Sequence, residues 1–425
     1  MTRRSRKRRR ARPETPVAPA APAGFVLPGV VACFFLSGFA ALLYQTAWLR
    51  QFSLVFGTSE LAVAAVLAAY MGGLAAGAAV AGRYADRVRR PILVYGILEA
   101  GIALSALAVP LLLAGARALY TLILGDQPLP PDAATLGQPV FYLIVAFLVL
   151  ALPTGFMGAT LPLLIRHAVT SDRQIGPRVA LLYATNTSGA VLGTIVAGFL
   201  LLPALGLSGT VWIGVVINAV VFALAALLAK RVPSLVSTGA ALEPSSPGKA
   251  TRPLIGFFST CIAPLIAAGR PAAERLGKVF RMQPGWILPL MLVSGANAFI
   301  YEVLWTRMLT HVLGGSIYAF ATMLAVFLTG IALGGGLAGQ FATDGRRAAL
   351  LFAITQIAIA VLSMAVYAWM GPLIPDSETT QQLVVYAVSV MLPATIFIGA
   401  TFPLAVRILV RDEREASTGT ARVYT

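Results

Sequence analysis

The chain has 425 residues, of which 58% are hydrophobic and only 11% charged, and its mean hydropathy is +0.84. Soluble globular domains carry about 25% charged residues, so this composition excludes water as the main solvent of the chain. The formal net charge of +16 comes largely from an N-terminal arm.

That arm, residues 1–23, combines a run of Arg and Lys with a Pro- and Ala-rich stretch. This pattern is typical of a disordered cytoplasmic segment that fixes topology and contacts anionic lipid headgroups. Nucleic-acid binding is the alternative, and we do not expect it. The apolar run from Gly24 to about Tyr44 is too long for the core of a cleaved signal peptide, so it is interpreted as a retained first span.

Ten apolar runs are long enough to cross the roughly 30 Å hydrocarbon core of a bilayer as helices. Six of them precede a long linker and four follow it. The predicted spans are residues 24–45, 60–82, 91–114, 139–165, 178–203, 207–229, 285–304, 317–340, 348–371 and 382–407.

The loops between these spans alternate in charge. Loops on the side of the arm are rich in arginine, whereas the opposite loops carry Asp126, Asp132, Asp376 and Glu378 with few basic residues. Because basic loops favour the cytoplasm, the alternation predicts that both ends of the chain are cytoplasmic. The apolar stretch 253–268 in the linker is short and contains Pro264, so we expect an interfacial or re-entrant segment there rather than another span.

The strongest internal signal is a repeat. Residues 37–82 align without a gap on residues 294–339, and residues 152–166 are echoed at 392–407 with one inserted residue. Matching loops fall on the same predicted side, so the copies are parallel, as in transporters whose halves are related by an axis along the membrane normal. The end of the chain, ARVYT, is similar to the opening of the fifth span. We therefore expect the second copy to be truncated and to have two further spans beyond its four.

Paired glycines at four-residue spacing occur at matching positions of the second span in each copy. Their lack of a side chain allows helix backbones to approach closely, which predicts tight packing and would also permit the sliding that alternating access needs. The pairs are Gly73 with Gly77 and Gly330 with Gly334.

A loop motif follows the same span in each copy. A carboxylate among arginines can hold a short loop by charge-assisted hydrogen bonds, and the pattern resembles the cytoplasmic loop motif of major facilitator transporters. Arginines that only set topology are the alternative. The residues concerned are Gly82, Asp86, Arg87 and Arg90 in the first copy and Gly339, Asp344, Arg346 and Arg347 in the second.

The pattern Y-x-x-x-W-x-R occurs once in the first span of each copy, near its outer end. One interpretation is an aromatic belt with a snorkelling arginine, and the other is the lining of an outward-facing polar cavity. Gln45 and Glu302 follow the two tyrosines, so the copies differ chemically at this position. The patterned residues are Tyr44, Trp48, Arg50, Tyr301, Trp305 and Arg307.

Glu99 lies inside the third span, where a carboxylate is costly unless it is paired, hydrated or protonated. It is a candidate solute-binding or ion-binding residue, with a structural hydrogen bond as the alternative. We predict no metal site, because His167 and His311 lie in different halves and Cys33 and Cys261 show no ligand spacing. No cofactor is predicted either.

The repeated SGFxALxYxxxWLRxxSLVFG element, the GATLPLL segment and the YATNTSGAVLG helix together resemble the membrane portion of bacterial fused major-facilitator-like and spermidine synthase proteins. The resemblance covers nearly everything from Gly24 onward and implies a bacterial inner membrane location. In that family a cytoplasmic Rossmann-type aminopropyltransferase domain usually follows the helices. No glycine-rich strand-to-helix loop or Asp-rich polyamine pocket is present in this sequence, so no catalytic residue is transferred.

These observations predict an all-α integral membrane protein of two parallel repeats. The expected organisation is a basic arm at 1–23, a first repeat at 24–230, a cytoplasmic linker at 231–283, a second repeat at 284–408 and a cytoplasmic end at 409–425. Two functions fit. The chain is either a transporter-like domain for a small solute such as a polyamine, or a membrane platform for a polyamine-synthase domain on a missing part or a separate chain.

Overall fold

A computed structural model of the chain describes residues 26–57, 60–124, 137–169, 171, 174–231, 284–313, 317–342, 344–370, 380–410 and 415–425. The expectations for the basic arm and for nearly all of the linker lie outside these residues. The described ranges are helical, with no strand among them, which confirms the predicted all-α class.

Eleven α-helices follow one another along the described part of the chain. The first six are α1 (Val26–Phe56), α2 (Glu60–Tyr84), α3 (Pro91–Leu124), α4 (Gly137–Ala168), α5 (Ile175–Val196) and α6 (Leu202–Arg231). The other five are α7 (Ile287–Leu313), α8 (Ile317–Phe341), α9 (Gly345–Met370), α10 (Thr380–Leu409) and α11 (Ala416–Tyr424).

The chain reverses direction between α5 and α6. A π-helical turn, Ala197–Leu201, joins the two helices, and Gly206 just beyond it has a φ of 68°, which glycine adopts without the steric cost of a Cβ atom. Both helices pack along α1, so they run back along the same partner. Nine continuous helical stretches in the described residues are long and apolar enough to cross a membrane. Splitting Ile175–Arg231 at Gly206 gives the ten predicted crossings.

The two halves repeat the same helix pairings. In the first half α2 packs on α4 and α3 packs on α4, and in the second half α8 packs on α10 and α9 packs on α10. Across the halves, α5 packs on α8 and α11 packs on α2. The parallel repeat predicted from the sequence is therefore present in the packing.

Each half is built around a close crossing of two helix backbones. A Cβ atom on Gly73 would collide with Thr154 Oγ1, and one on its counterpart Gly330 would collide with Thr395 Oγ1. The equivalence of Thr154 and Thr395 places the one inserted residue of the second copy just before Thr395. Small residues are required at these crossings because the two backbones leave no room for a side chain.

The second glycine of each pair makes the same kind of contact one turn further along. A Cβ atom on Gly77 would meet the carbonyl oxygen of Gly155, and one on Gly334 would meet that of Ile396. All four glycines therefore lie at close helix crossings that match between the halves.

The halves also meet in matching ways next to the basic loops. A Cβ atom on Gly82 would collide with the Cβ of Ala421 on α11, and one on Gly339 would collide with the Cβ of Ala180 on α5. Thr418 Oγ1 donates a hydrogen bond to the carbonyl oxygen of Gly82 at 3.1 Å. Helix α11 thus takes the place on α2 that the start of α5 takes on α8.

Buried apolar residues form three clusters. One cluster joins the two halves at the helix ends next to the basic loops, with members such as Ile165, Ile175, Ala338, Val406 and Val423. A second cluster lies entirely within the first half. The third lies mainly in the second half but includes the fully buried Leu67 of α2, with Leu42 and Leu49 of α1 packed against it. The halves therefore share buried apolar contacts at the basic-loop end and also towards the other end.

Candidate functional site

The repeated tyrosine and tryptophan form a stacked pair in each half. The rings of Tyr44 and Trp48 lie 5.1 Å apart at an angle of 12°, and those of Tyr301 and Trp305 lie 5.4 Å apart at 17°. Tyr44 and Trp48 are fully buried, and Trp305 is 4% exposed. These positions favour an interior role over the aromatic belt that the sequence also allowed.

The two arginines of the pattern lie apart from these buried rings. Arg50 and Arg307 are exposed, whereas Trp48 and Trp305, two residues earlier on each helix, are buried. Because a helix turns by 100° per residue, the arginine and the tryptophan of each pattern face different directions. The structure therefore does not bring Arg50 or Arg307 into the buried groups around Glu99 described next.

Glu99 is fully buried within the first half and belongs to a hydrogen-bond network that joins three helices. Asn218 on α6 donates from Nδ2 to Glu99 Oε2 at 2.5 Å, and Tyr44 on α1 donates its hydroxyl to Asn218 Oδ1 at 2.9 Å. The side chains of Ser37 and Tyr95 lie beside the same carboxyl group. Among the described contacts of Glu99 there is none with a lysine or arginine.

The other oxygen of the Glu99 carboxyl group, Oε1, is buried and has no hydrogen-bond partner among the described residues. A carboxylate so deep in a membrane protein, without a basic partner, is costly to hold in its charged form. The network therefore suits a neutral carboxyl group that acts as a polar link between α1, α3 and α6.

The second half has an amide where the first half has this carboxyl group. The ungapped alignment of residues 37–82 extends through the third helix, and it matches Glu99 with Gln356 and Ser37 with Ser294. Gln356 Nε2 donates to Ser294 Oγ at 2.9 Å. Sequence reasoning missed Gln356 because the comparison stopped at Gly339, although the same register continues beyond it.

Gln45 and Glu302 occupy equivalent positions of the first helix in each half. Here the amide is in the first half and the carboxyl group is in the second. Both are buried, with exposed fractions of 3% and 4%, and both retain a polar atom without a partner among the described residues, Nε2 of Gln45 and Oε1 of Glu302. At these two pairs of equivalent positions, each half thus holds one glutamate and one glutamine, and the two are exchanged between the halves.

Gln45 is oriented towards the other half. Leu42 and Leu49 pack against the apolar cluster of the second half. Gln45 lies three residues after Leu42 and four before Leu49, so it shares their face of the helix. Because the halves are related by the repeat, Glu302 occupies the equivalent face of α7. Trp48 Nε1 is a further buried donor without a described partner on the same stretch of α1.

The loop motif makes one defined contact in each half. The backbone N–H of Arg347 donates to Asp344 Oδ1 at 2.9 Å, and the Arg347 guanidinium lies 3.5 Å from Oδ2, so Asp344 caps the start of α9. Arg87 lies over the ring of Tyr84 at 5.7 Å. Arg90 and Arg346 are exposed, and the side chain of Asp86 lies outside the described residues.

No group of three or more His, Cys, Asp or Glu residues that could hold a metal ion occurs in the part of the chain that the structure describes. The polar groups that remain are amides, hydroxyls and two isolated carboxyl groups inside a helical bundle. Such an arrangement can bind and orient a polar solute.

The fold and these sites define a multi-pass helical membrane protein of two parallel halves. Residues 30–423 match the Major Facilitator Superfamily. The chain belongs to that superfamily.

Two solved transporter structures are similar at low identity. The human organic anion transporter MFSD10 (TETRAN) is 17% identical, with 93% of this chain and 90% of that chain covered and a TM-score of 0.46. The proton:xylose symporter XylE, bound to 6-bromo-6-deoxy-D-glucose, is 13% identical, with 95% and 87% covered and a TM-score of 0.48. No curated protein matches the chain.

Proposed function

We propose that this chain is a transporter-like protein that moves a small polar solute between its two halves. Membership of the major facilitator superfamily supports this class of function. Buried polar atoms are normally satisfied by a protein group or water, so those left without a partner are candidates for contact with a solute. Gln45, Trp48, Glu99 and Glu302 are among the residues that carry such atoms.

The two halves share buried apolar contacts at both ends. At the basic-loop end, one cluster contains residues of both halves. Towards the opposite end, the fully buried Leu67 of α2 belongs to the cluster of the second half, and the ring of Phe199 contacts that of Tyr318. Alternating access requires the contacts at one end to separate while those at the other end hold.

We propose Glu302 as the residue that contacts the solute most directly, with Gln45 opposite it. The carboxyl group of Glu302 has a buried oxygen without a described partner, and its position is equivalent to that of Gln45, which faces the other half. A carboxyl group at this interface favours a cationic solute, and an organic polyamine is the substrate that the sequence resemblance suggests. Arg50 and Arg307 are exposed, unlike the buried Gln45 and Glu302.

The test is uptake of radiolabelled spermidine and putrescine into proteoliposomes that contain the full chain. Wild-type protein is expected to accumulate label above protein-free liposomes. Glu302→Gln is expected to reduce uptake about tenfold or more, because a charge-assisted hydrogen bond to the solute is lost. Glu99→Gln is the matched control, since the second half already has a glutamine at that position, and we expect uptake close to wild type.

Two results would separate the class of function from the substrate. Absence of polyamine uptake together with uptake of another polar solute would reject the polyamine but keep the transporter. Uptake of polyamine that is equal in wild type and Glu302→Gln would reject the proposed role of Glu302.

A membrane platform for a polyamine-synthase domain is the second candidate. It is supported by the resemblance of the repeated Ser37 and Ser294 elements to the membrane portion of fused synthase proteins. Its test is co-purification of an aminopropyltransferase with the tagged chain from its native membranes. Recovery of the chain without any such activity, in detergent that preserves the fold, would reject the platform.

A further inference from the structure

Helix α1 is enclosed on every side at the level of the candidate solute site. Six consecutive residues, from Leu43 to Trp48, are buried, and together they point in all directions around the helix. Burial of apolar surface is not directional, so it does not by itself select one rotation of such a helix. A directional contact is needed to decide which residue of α1 faces the other half.

The rotation of α1 matters because Gln45 lies on the face that is directed at the other half. A helix with its side chains has a radius of about 5–6 Å, so turning α1 by about 20° would displace the end of the Gln45 side chain by about 2 Å. Hydrogen bonds tolerate donor–acceptor distances of only about 2.7–3.2 Å. A rotation of this size is therefore enough to remove Gln45 from contact with a solute.

The side chain next to Gln45 is bonded to α6. Tyr44 donates its hydroxyl to Asn218 Oδ1 at 2.9 Å, and its ring lies against the α6 backbone, where a Cβ atom on Gly214 would be 2.6 Å from Tyr44 Cε1. The Asn218 amide is itself held, since its Nδ2 donates to Glu99 on α3. Because a hydrogen bond is directional, this contact provides the rotational preference that apolar burial lacks.

The same face of α1 is held at a second point. Ser37 lies seven residues before Tyr44, hence on the same face, and it lies beside the Glu99 carboxyl group. Other bonds reach α1 at backbone carbonyl oxygens, such as the bond from the Tyr95 hydroxyl to Cys33 at 3.1 Å. Backbone carbonyls lie nearly parallel to the helix axis, so these bonds define the rotation of α1 less sharply than a side chain does.

We propose that Asn218 is a positioning residue for the solute site: through Tyr44 it fixes the rotation of α1 that directs Gln45 at the other half. Glu99 supports this role by holding the Asn218 amide. The role rests on the proposed function, in which Gln45 faces the solute, but it does not depend on which polar solute is carried.

Uptake kinetics in proteoliposomes that contain the full chain test this role, with radiolabelled spermidine as the probe. Tyr44→Phe and Asn218→Leu each remove the bond, and each should raise KM about three- to tenfold while the maximal rate stays within about twofold. In a Gln45→Leu background, Tyr44→Phe should have no further effect on KM, because the bond acts through Gln45. The control is Tyr95→Phe, which loses a hydroxyl bond to α1 about three turns from Gln45 and should keep the wild-type KM.

A second measurement does not require a transported solute. In a chain with Cys33→Ala and Cys261→Ser, a thiol is introduced by Gln45→Cys and its rate of reaction with N-ethylmaleimide is measured. Adding Tyr44→Phe should change this rate about threefold or more, because the helix is then free to turn. Adding Tyr95→Phe should leave the rate unchanged.

Failure of the proposed solute and failure of the positioning role give different results. A wild-type chain that accumulates no spermidine rejects that substrate, and the thiol measurement then decides the positioning role alone. An unchanged KM in Tyr44→Phe, or a further rise in KM in the Gln45→Leu background, would overturn the role while transport stands. Equal thiol rates with and without Tyr44→Phe, or an equal change with Tyr95→Phe, would overturn it as well.

Discussion

The two halves share a helical design but distribute their carboxyl groups in opposite ways. In the first half the glutamate is on the third helix, bonded by Asn218, and the glutamine is on the first helix. In the second half the glutamate, Glu302, is on the first helix and Gln356 is on the third. Since glutamine and a protonated glutamate have nearly the same shape, the fold accepts either one at each position.

The comparison separates two uses of a buried carboxyl group. Glu99 is surrounded by side chains of its own half and links three helices. Glu302 lies at a position whose counterpart faces the other half, although each of the two glutamates has one oxygen without a partner in the described residues. The first arrangement fits a role in packing, and the second fits contact with a solute.

The largest expected effect comes from the helix crossing that both halves share. Gly77→Val places a side chain against the carbonyl of Gly155, and it should destabilise the protein by about 3 kcal/mol or more, since the two backbones must separate. Thermal unfolding in detergent measures the loss. Gly115→Val is the control, because a Cβ atom on Gly115 meets nothing within 4 Å. Similar Tm values for the two variants would contradict the close crossing.

A smaller effect is expected at the polar network of the first half. Glu99→Leu leaves the Asn218 amide buried without its acceptor, and it should cost about 1–3 kcal/mol. Glu99→Gln keeps an acceptor oxygen, so its Tm should stay close to wild type. If Glu99→Gln were as unstable as Glu99→Leu, the charge rather than the hydrogen bond would be what the first half needs.

The smallest effect is expected at the loop that starts α9. Asp344→Ala removes the cap on the N–H of Arg347 and should cost about 0.5–1 kcal/mol. The ion pair adds little to this value, because both side chains are more than half exposed. Asp344→Asn retains a capping oxygen and should recover most of the Tm. Failure of asparagine to recover it would point to the charge as the cause.

The membrane class, the ten crossings and the parallel repeat were predictable from the sequence. They depend on the length of the apolar runs and on residues that match between the two copies, and both can be read from the amino-acid sequence alone. The close crossings were also predictable, because paired glycines at helical spacing remove the side-chain bulk that would otherwise hold two helices apart.

The candidate site was predictable only in part. The sequence indicated Glu99 and the chemical difference between Gln45 and Glu302, but it could not show that Asn218 bonds to Glu99. That contact joins residues 119 positions apart and depends on how α6 lies across α3. The burial of Trp48 was missed for a similar reason, since a tryptophan near a helix end also fits the membrane interface.

The most direct test of a solute site between the halves exchanges the two groups proposed to face each other there. Glu302→Gln should lower solute uptake in proteoliposomes, and the double variant Gln45→Glu with Glu302→Gln should restore it, because the carboxyl group returns to the same interface from the opposite half. Uptake in the double variant that stays at the level of Glu302→Gln, with both proteins folded, would contradict a shared solute site.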